Sequence, residues 1–152
     1  MQADHERTEC KDFDGAFQAD NVPPPTCTSP IGMCTHGRLG PDFPADYDFT
    51  FSTLQSTEDP TDPTAFVYTG HSKVTSDHDH GVISTNDVGI VHIPPDGGAP
   101  FVTTAVAFTG TGRFAGVAGA FVASGTLDFS TGHSTGTYFA RLCTPEHNHC
   151  WR

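Results

Sequence analysis

Residues 46–54 read Asp46-Tyr47-Asp48-Phe49-Thr50-Phe51-Ser52-Thr53-Leu54, with Tyr47, Phe49 and Phe51 alternating with Asp48, Thr50 and Ser52. A period of two places the three rings on one face of an extended segment and the polar groups on the other, the pattern of a strand with one side in a core. Working outward, residues 58–63 form an acidic, proline-bearing turn and residues 65–74 (AFVYTGHSKV) a second strand. A turn over residues 76–81 returns the chain through a strand over 82–93 to Pro94-Pro95-Asp96-Gly97-Gly98, the plainest turn in the sequence. Strands over 100–109, 118–129 and 135–143 follow, separated by Gly110-Thr111-Gly112 and Ser130-Thr131-Gly132. Upstream, residues 13–19 form a short strand, and residues 21–33 are a loop because Pro23-Pro24-Pro25 and Pro30 cannot donate to a ladder. Seven or eight strands at even spacing fit a sandwich or a barrel. Closure removes exposed edges from long, β-branched strands, so a closed antiparallel barrel is expected.

Composition agrees with an all-β chain. Lys and Glu are scarce, Gly and Pro number 16 and 12, and no window holds a 3.6-residue apolar repeat. The 152 residues suit one domain, with residues 1–9 and 144–152 expected as peripheral tails. Twelve Phe and one Trp can fill a small barrel. A formal charge of −11 disfavours nucleic acid and anionic membrane surfaces as partners, and no apolar run approaches the length of a membrane helix.

Cys10, Cys27, Cys34, Cys143 and Cys150 fit neither a C-x-x-C pair nor a zinc knuckle, so disulfides in an oxidising compartment are the simpler account. Secreted, extracellular or periplasmic location is therefore expected; the polar opening residues 1–6 hold no export signal, so any leader is expected to have been removed. Cys27 and Cys34 bracket six residues that a local bridge can close. In an up-and-down barrel the first and last strands are neighbours, which would join Cys10 to Cys143 and leave Cys150 free or paired between chains.

Gly110-Thr111-Gly112-Arg113-Phe114-Ala115-Gly116-Val117-Ala118-Gly119 resembles the glycine-rich turn of allene oxide cyclase-like and dirigent-like barrels. Phe66-Val67-Tyr68-Thr69-Gly70 and Thr85-Asn86-Asp87-Val88-Gly89 resemble the strands before that turn in small secreted bacterial members. The cysteine loop from Thr26 to Thr35 and Gly136-Thr137-Tyr138 resemble their N-terminal loop and closing strand, so the likeness covers residues 27–143. It departs in having Thr109-Gly110 where Gly-Gly is usual. The resemblance implies a calycin-like barrel of eight strands, often trimeric. Members cyclise an epoxide, guide radical coupling or demethylate a phenazine, so the fold leaves the chemistry open.

Several residues are candidates for chemistry. Small barrels can hold one ligand among inward side chains. For acid/base work on such a ligand, His71 is the candidate base, Asp87 its orienting group and Tyr138 a donor to a developing oxyanion, with Tyr68 and Arg113 as substrate contacts. Tyr68 and His71 are three apart, so both face inward only if Gly70 permits a bulge. The plainer readings are a turn-bonding Asp87 and tyrosines that pack in the core. In Asp77-His78-Asp79-His80, the imidazoles of His78 and His80 share a face when extended and suit a divalent metal; the same residues also make an ordinary solvated hairpin tip. Glu146-His147-Asn148-His149-Cys150 is a second metal-like tract. No cofactor is expected apart from such a metal.

Three functions follow. One is a secreted barrel that binds a small, largely apolar organic molecule, with cofactor-free isomerisation or cyclisation if it is catalytic. Another is a non-catalytic extracellular binding or assembly module. The last is a secreted metalloprotein using His78 and His80. A homo-oligomer, a trimer, is expected from the resemblance and from more Phe than one barrel interior holds.

Overall fold

The computed structural model describes residues 7–146. Eight strands follow one another in chain order: β1 (Thr8–Asn21), β2 (Cys34–Pro41), β3 (Ala45–Ser56), β4 (Ala65–Ser76), β5 (Val82–His92), β6 (Gly98–Gly110), β7 (Ala118–Asp128) and β8 (Ser134–Pro145). Each pairs antiparallel with its neighbours, and β8 returns to β1, closing the barrel. The alternation read from residues 46–54 holds in place: Tyr47, Phe49 and Phe51 point into the core.

Two expectations change. Strand β2 lies where no strand was read, because Gly37, Gly40 and Pro41 break its apolar alternation. It is fixed instead by register, with Leu39 inside and His36 and Arg38 outside against Asp48 and Asp46 of β3. The tails are shorter than expected: Thr8 and Glu9 pair with Pro145 and Thr144, so all four belong to the barrel.

Alternating hairpins give the barrel two unlike ends. One end carries the β2–β3, β4–β5 and β6–β7 connections, and aromatic rings close it. Phe43 meets Phe13 edge-on at 5.1 Å and Phe114 at 5.9 Å. Phe114 is wholly buried. It comes from the short 3-10 turn Gly112–Phe114 inside the glycine-rich segment, so that segment supplies the plug of this end. The opposite end carries the β1–β2, β3–β4, β5–β6 and β7–β8 connections and is the mouth.

Both expected bridges are present, Cys10–Cys143 across the β1–β8 closure and Cys27–Cys34 within the β1–β2 loop. Cys150 lies outside the described residues. Strands β6 and β7 pair only over residues 98–104 and 122–128. Toward the plugged end they diverge, and the half-buried rings of Phe108 and Phe121 fill the space between the barrel wall and its interior. No helix among the described residues is long and apolar enough to cross a membrane.

Candidate binding site at the mouth of the barrel

The interior is nearly filled by its own side chains. A void of about 40 Å³ lies toward the mouth and another of about 30 Å³ toward the plug. Each holds at most a few waters, whereas an organic ligand needs roughly 300–1,000 Å³.

Above the upper void lies an open cleft of about 300 Å³ between the β1–β2 loop and the β7–β8 turn. Cleft and void share Met33, Thr35, Phe51, Leu127 and Phe129, so the cleft leads straight onto the aromatic interior. Its walls are held from both sides. The Ser29 hydroxyl donates to the Phe51 carbonyl at 2.6 Å and the Phe51 N–H to the Met33 carbonyl at 3.0 Å, which pins the disulfide-braced loop to β3. Across the cleft, Asp128 accepts from the Ser130 hydroxyl and N–H at 2.6 and 2.8 Å, bonds that hold its carboxyl below the usual range. That turn presents Phe129, 40% exposed, to solvent. An exposed ring on a fixed turn beside buried ones is the arrangement expected of an apolar contact surface.

Between the two voids lies a buried polar cluster. Asp87, 2% exposed, accepts from the Ser72 hydroxyl and from the Thr85 hydroxyl at 2.8 Å. Burial raises its pKa, and these two bonds offset the rise only partly. Burial also pushes the Tyr68 phenol up to about 12 and the Tyr47 phenol higher still. The Tyr68 ring lies directly over Gly89, where any side chain would collide with it. Ser72, Thr85 and Thr103 did not stand out in the sequence, since short polar residues in a strand read as outward-facing; the inward parity of Asp87 was the available signal.

The structure does not bring the candidate catalytic groups together. His71 points outward and is exposed, its Nδ1–H donating to Asn86 Oδ1 at 2.6 Å. The ladder irregularity near Gly70 lies in β3, between Phe51 and Thr53, and leaves β4 in phase. Gly70 serves close approach instead, with the Phe49 ring packed over it. Asp87 is thus oriented by hydroxyls and not set to orient an imidazole. Tyr138 is buried in the other half of the barrel, its hydroxyl turned toward the Phe43 backbone without a well-formed hydrogen bond. Tyr68 lines the upper void, as a substrate contact would.

Arg113 is committed to structure: its Nε lies 2.7 Å from Asp79 Oδ2, it donates to Ser76 Oγ at 2.9 Å, and its guanidinium covers the Phe114 ring at 4.5 Å. His78 and His80 are exposed in the β4–β5 turn, while Asp77 and Asp79 beside them are bound by Arg38 and Arg113. Among the described residues no three His, Cys, Asp or Glu side chains come together as a metal group. Of the second tract, His147 to Cys150 lie outside the described residues.

The fold and its mouth define a class, the closed eight-stranded antiparallel barrel with one plugged and one open end. Among solved structures, a pterocarpan synthase dirigent protein is similar over 92% of this chain and 93% of its own, with a TM-score of 0.51 and 15% sequence identity. The architecture is therefore that of a dirigent-like barrel. No family model and no curated protein matches the chain.

Proposed function

We propose that this chain is an extracellular binding module that takes a small, largely apolar molecule at the mouth of its barrel and does no chemistry on it. The observation that carries this reading is the apolar 300 Å³ cleft standing over an interior with only 40 and 30 Å³ of free space. Two disulfides support a secreted or periplasmic setting. The neutral fluorophore N-phenyl-1-naphthylamine suits the test because charge does not repel it from an acidic protein. It is expected to brighten on binding, and Phe129→Ala to weaken binding roughly tenfold, the effect of losing one well-packed ring face. Absence of binding at micromolar concentration, or binding indifferent to Phe129→Ala, would count against the mouth as the site.

A second reading, cofactor-free isomerisation or cyclisation, draws support from the raised Asp87 carboxyl beside two buried phenols. A carboxyl whose proton affinity burial has raised is better matched to acid/base work than an exposed one. It requires the interior to open far enough for a ligand to reach Asp87, which a ligand-induced shift in the Asp87 carboxyl titration, followed by carbon-detected NMR, would register.

Self-association as a trimer belongs to the same proposal. Val88, Thr104, Val122 and Phe139 stand side by side across β5 to β8, with Ile90 and Val102 in the next row. All are exposed, and none is charged, so copies of this chain can meet there despite a charge of −11.

A further inference from the structure

His71 leaves the interior without a base but stands in a different concavity. On the outside of the barrel a groove of about 600 Å³ crosses β3, β4 and β5, walled by the β1–β2 loop on one side and the end of β6 on the other. Two cross-strand rows form its floor. Thr50, His71 and Asn86 lie abreast in one, and Asp48, Lys73 and Ser84 in the next.

We propose that this groove is a second binding site, for a neutral, hydroxyl-rich ligand of the oligosaccharide class. Threonine, serine, histidine and asparagine supply most of its lining residues, so it offers donors and acceptors beside the apolar surface of Val22, Ala107 and Phe108, a mixture that matches the hydroxyls and C–H faces of a sugar. Its charges nearly cancel. Asp48 is held by His36 Nδ1 at 2.6 Å, and the Lys73 ammonium has no ion-pair partner among the described residues. A lone cation does not hold a polyanion against the −11 of the whole chain, which leaves neutral polyols as the better match. The site is also ready-made. Thr, Ser and Asn on paired strands have few rotamers to lose, and the Cys27–Cys34 bridge fixes the wall that carries Thr26 and Thr28. The His71–Asn86 bond orients both side chains and leaves the Asn86 amide N–H pair for a ligand oxygen.

The test is retention of the full chain on a panel of immobilised neutral oligosaccharides beside uronate-bearing counterparts. Wild type is expected to be held by at least one neutral member. Asn86→Ala and Thr50→Ala should each weaken that binding about five- to tenfold, the loss of one or two ligand hydrogen bonds. Both positions lie on the outer face of the barrel, Asn86 exposed and Thr50 half-buried, and an unchanged circular dichroism spectrum would confirm that the variants fold. Phe129→Ala should leave oligosaccharide binding intact, which separates this site from the mouth. Retention by no neutral member, retention confined to uronates, full retention by Asn86→Ala and Thr50→Ala, or equal loss in Phe129→Ala would each overturn the proposal.

Discussion

Asp87 sits between Ser72 and Thr85 with its carboxyl nearly out of contact with water, and the two hydroxyls do not fully replace what hydration would give it. A raised carboxyl pKa means that the folded chain keeps its proton at pH values where the unfolded chain has released it. The stability this group contributes is therefore complete below its ordinary value of 3.8 and declines as pH rises from there through the folded value. Asp12 and Asp77 act in the opposite sense: their arginine partners lower their pKa, and what they contribute is lost as pH falls below the ordinary value. Asp87→Asn should accordingly raise the melting temperature near pH 7, with the gain shrinking toward about pH 4. Melts of both proteins across that range check the sign, and a pH-independent difference would mean that Asp87 is not ionised in the fold. How such a cluster escaped the sequence is physical: Ser72 and Thr85 are short, and only strand phase decides which way they face. The same phase, uninterrupted in β4, turned His71 outward where a bulge had been expected.

Strands with rings at every second position announced themselves, which is why β3 and β4 were legible and β2 was not. Leu39 is the one large apolar side chain that β2 buries toward the core, and its polar residues acquire meaning only beside Asp46 and Asp48 of β3. The glycine-rich turn was legible as a resemblance, but its work as a plug was not, because Phe114 finds Phe43, and Phe43 finds Phe13, only once the end of the barrel is assembled. The bridges act on the same elements. Cys10 and Cys143 face each other across β1 and β8 and close a span of 133 residues, against 7 for Cys27 and Cys34. On chain entropy the first constrains the unfolded state by about 5 kcal/mol and the second by about 2.5 kcal/mol. Replacing Cys10 and Cys143 by serine should thus lower the unfolding free energy more than replacing Cys27 and Cys34. Urea melts of the two double variants give the order, and its reversal would show that the mouth loop carries more of the stability.

The molecule as a whole divides its surface by charge. Arginine–aspartate and histidine–aspartate pairs crowd the outer faces of β1 to β3 and the turns beside them, whereas the middle of β5 to β8 shows valine, isoleucine, threonine and phenylalanine. Val106, 62% exposed, and Val102, 53% exposed, are the largest departures from a water-facing surface. If the apolar face is shared between copies, light scattering at micromolar concentration should give the mass of three chains, and Val102→Asp should reduce it to one. A wild-type monomer at that concentration would leave the face without its partner.

Pairing of β8 with β1 has one more consequence. The Glu146 N–H donates to the Arg7 carbonyl at 2.8 Å, so the two ends of the described chain meet. The barrel is in effect a ring of hairpins cut at one point, and its contacts do not record where the cut was made. Circular permutation, with Glu146 joined to Arg7 and a new start in the exposed turn around Asp96, would preserve every strand neighbour and move both termini to the mouth.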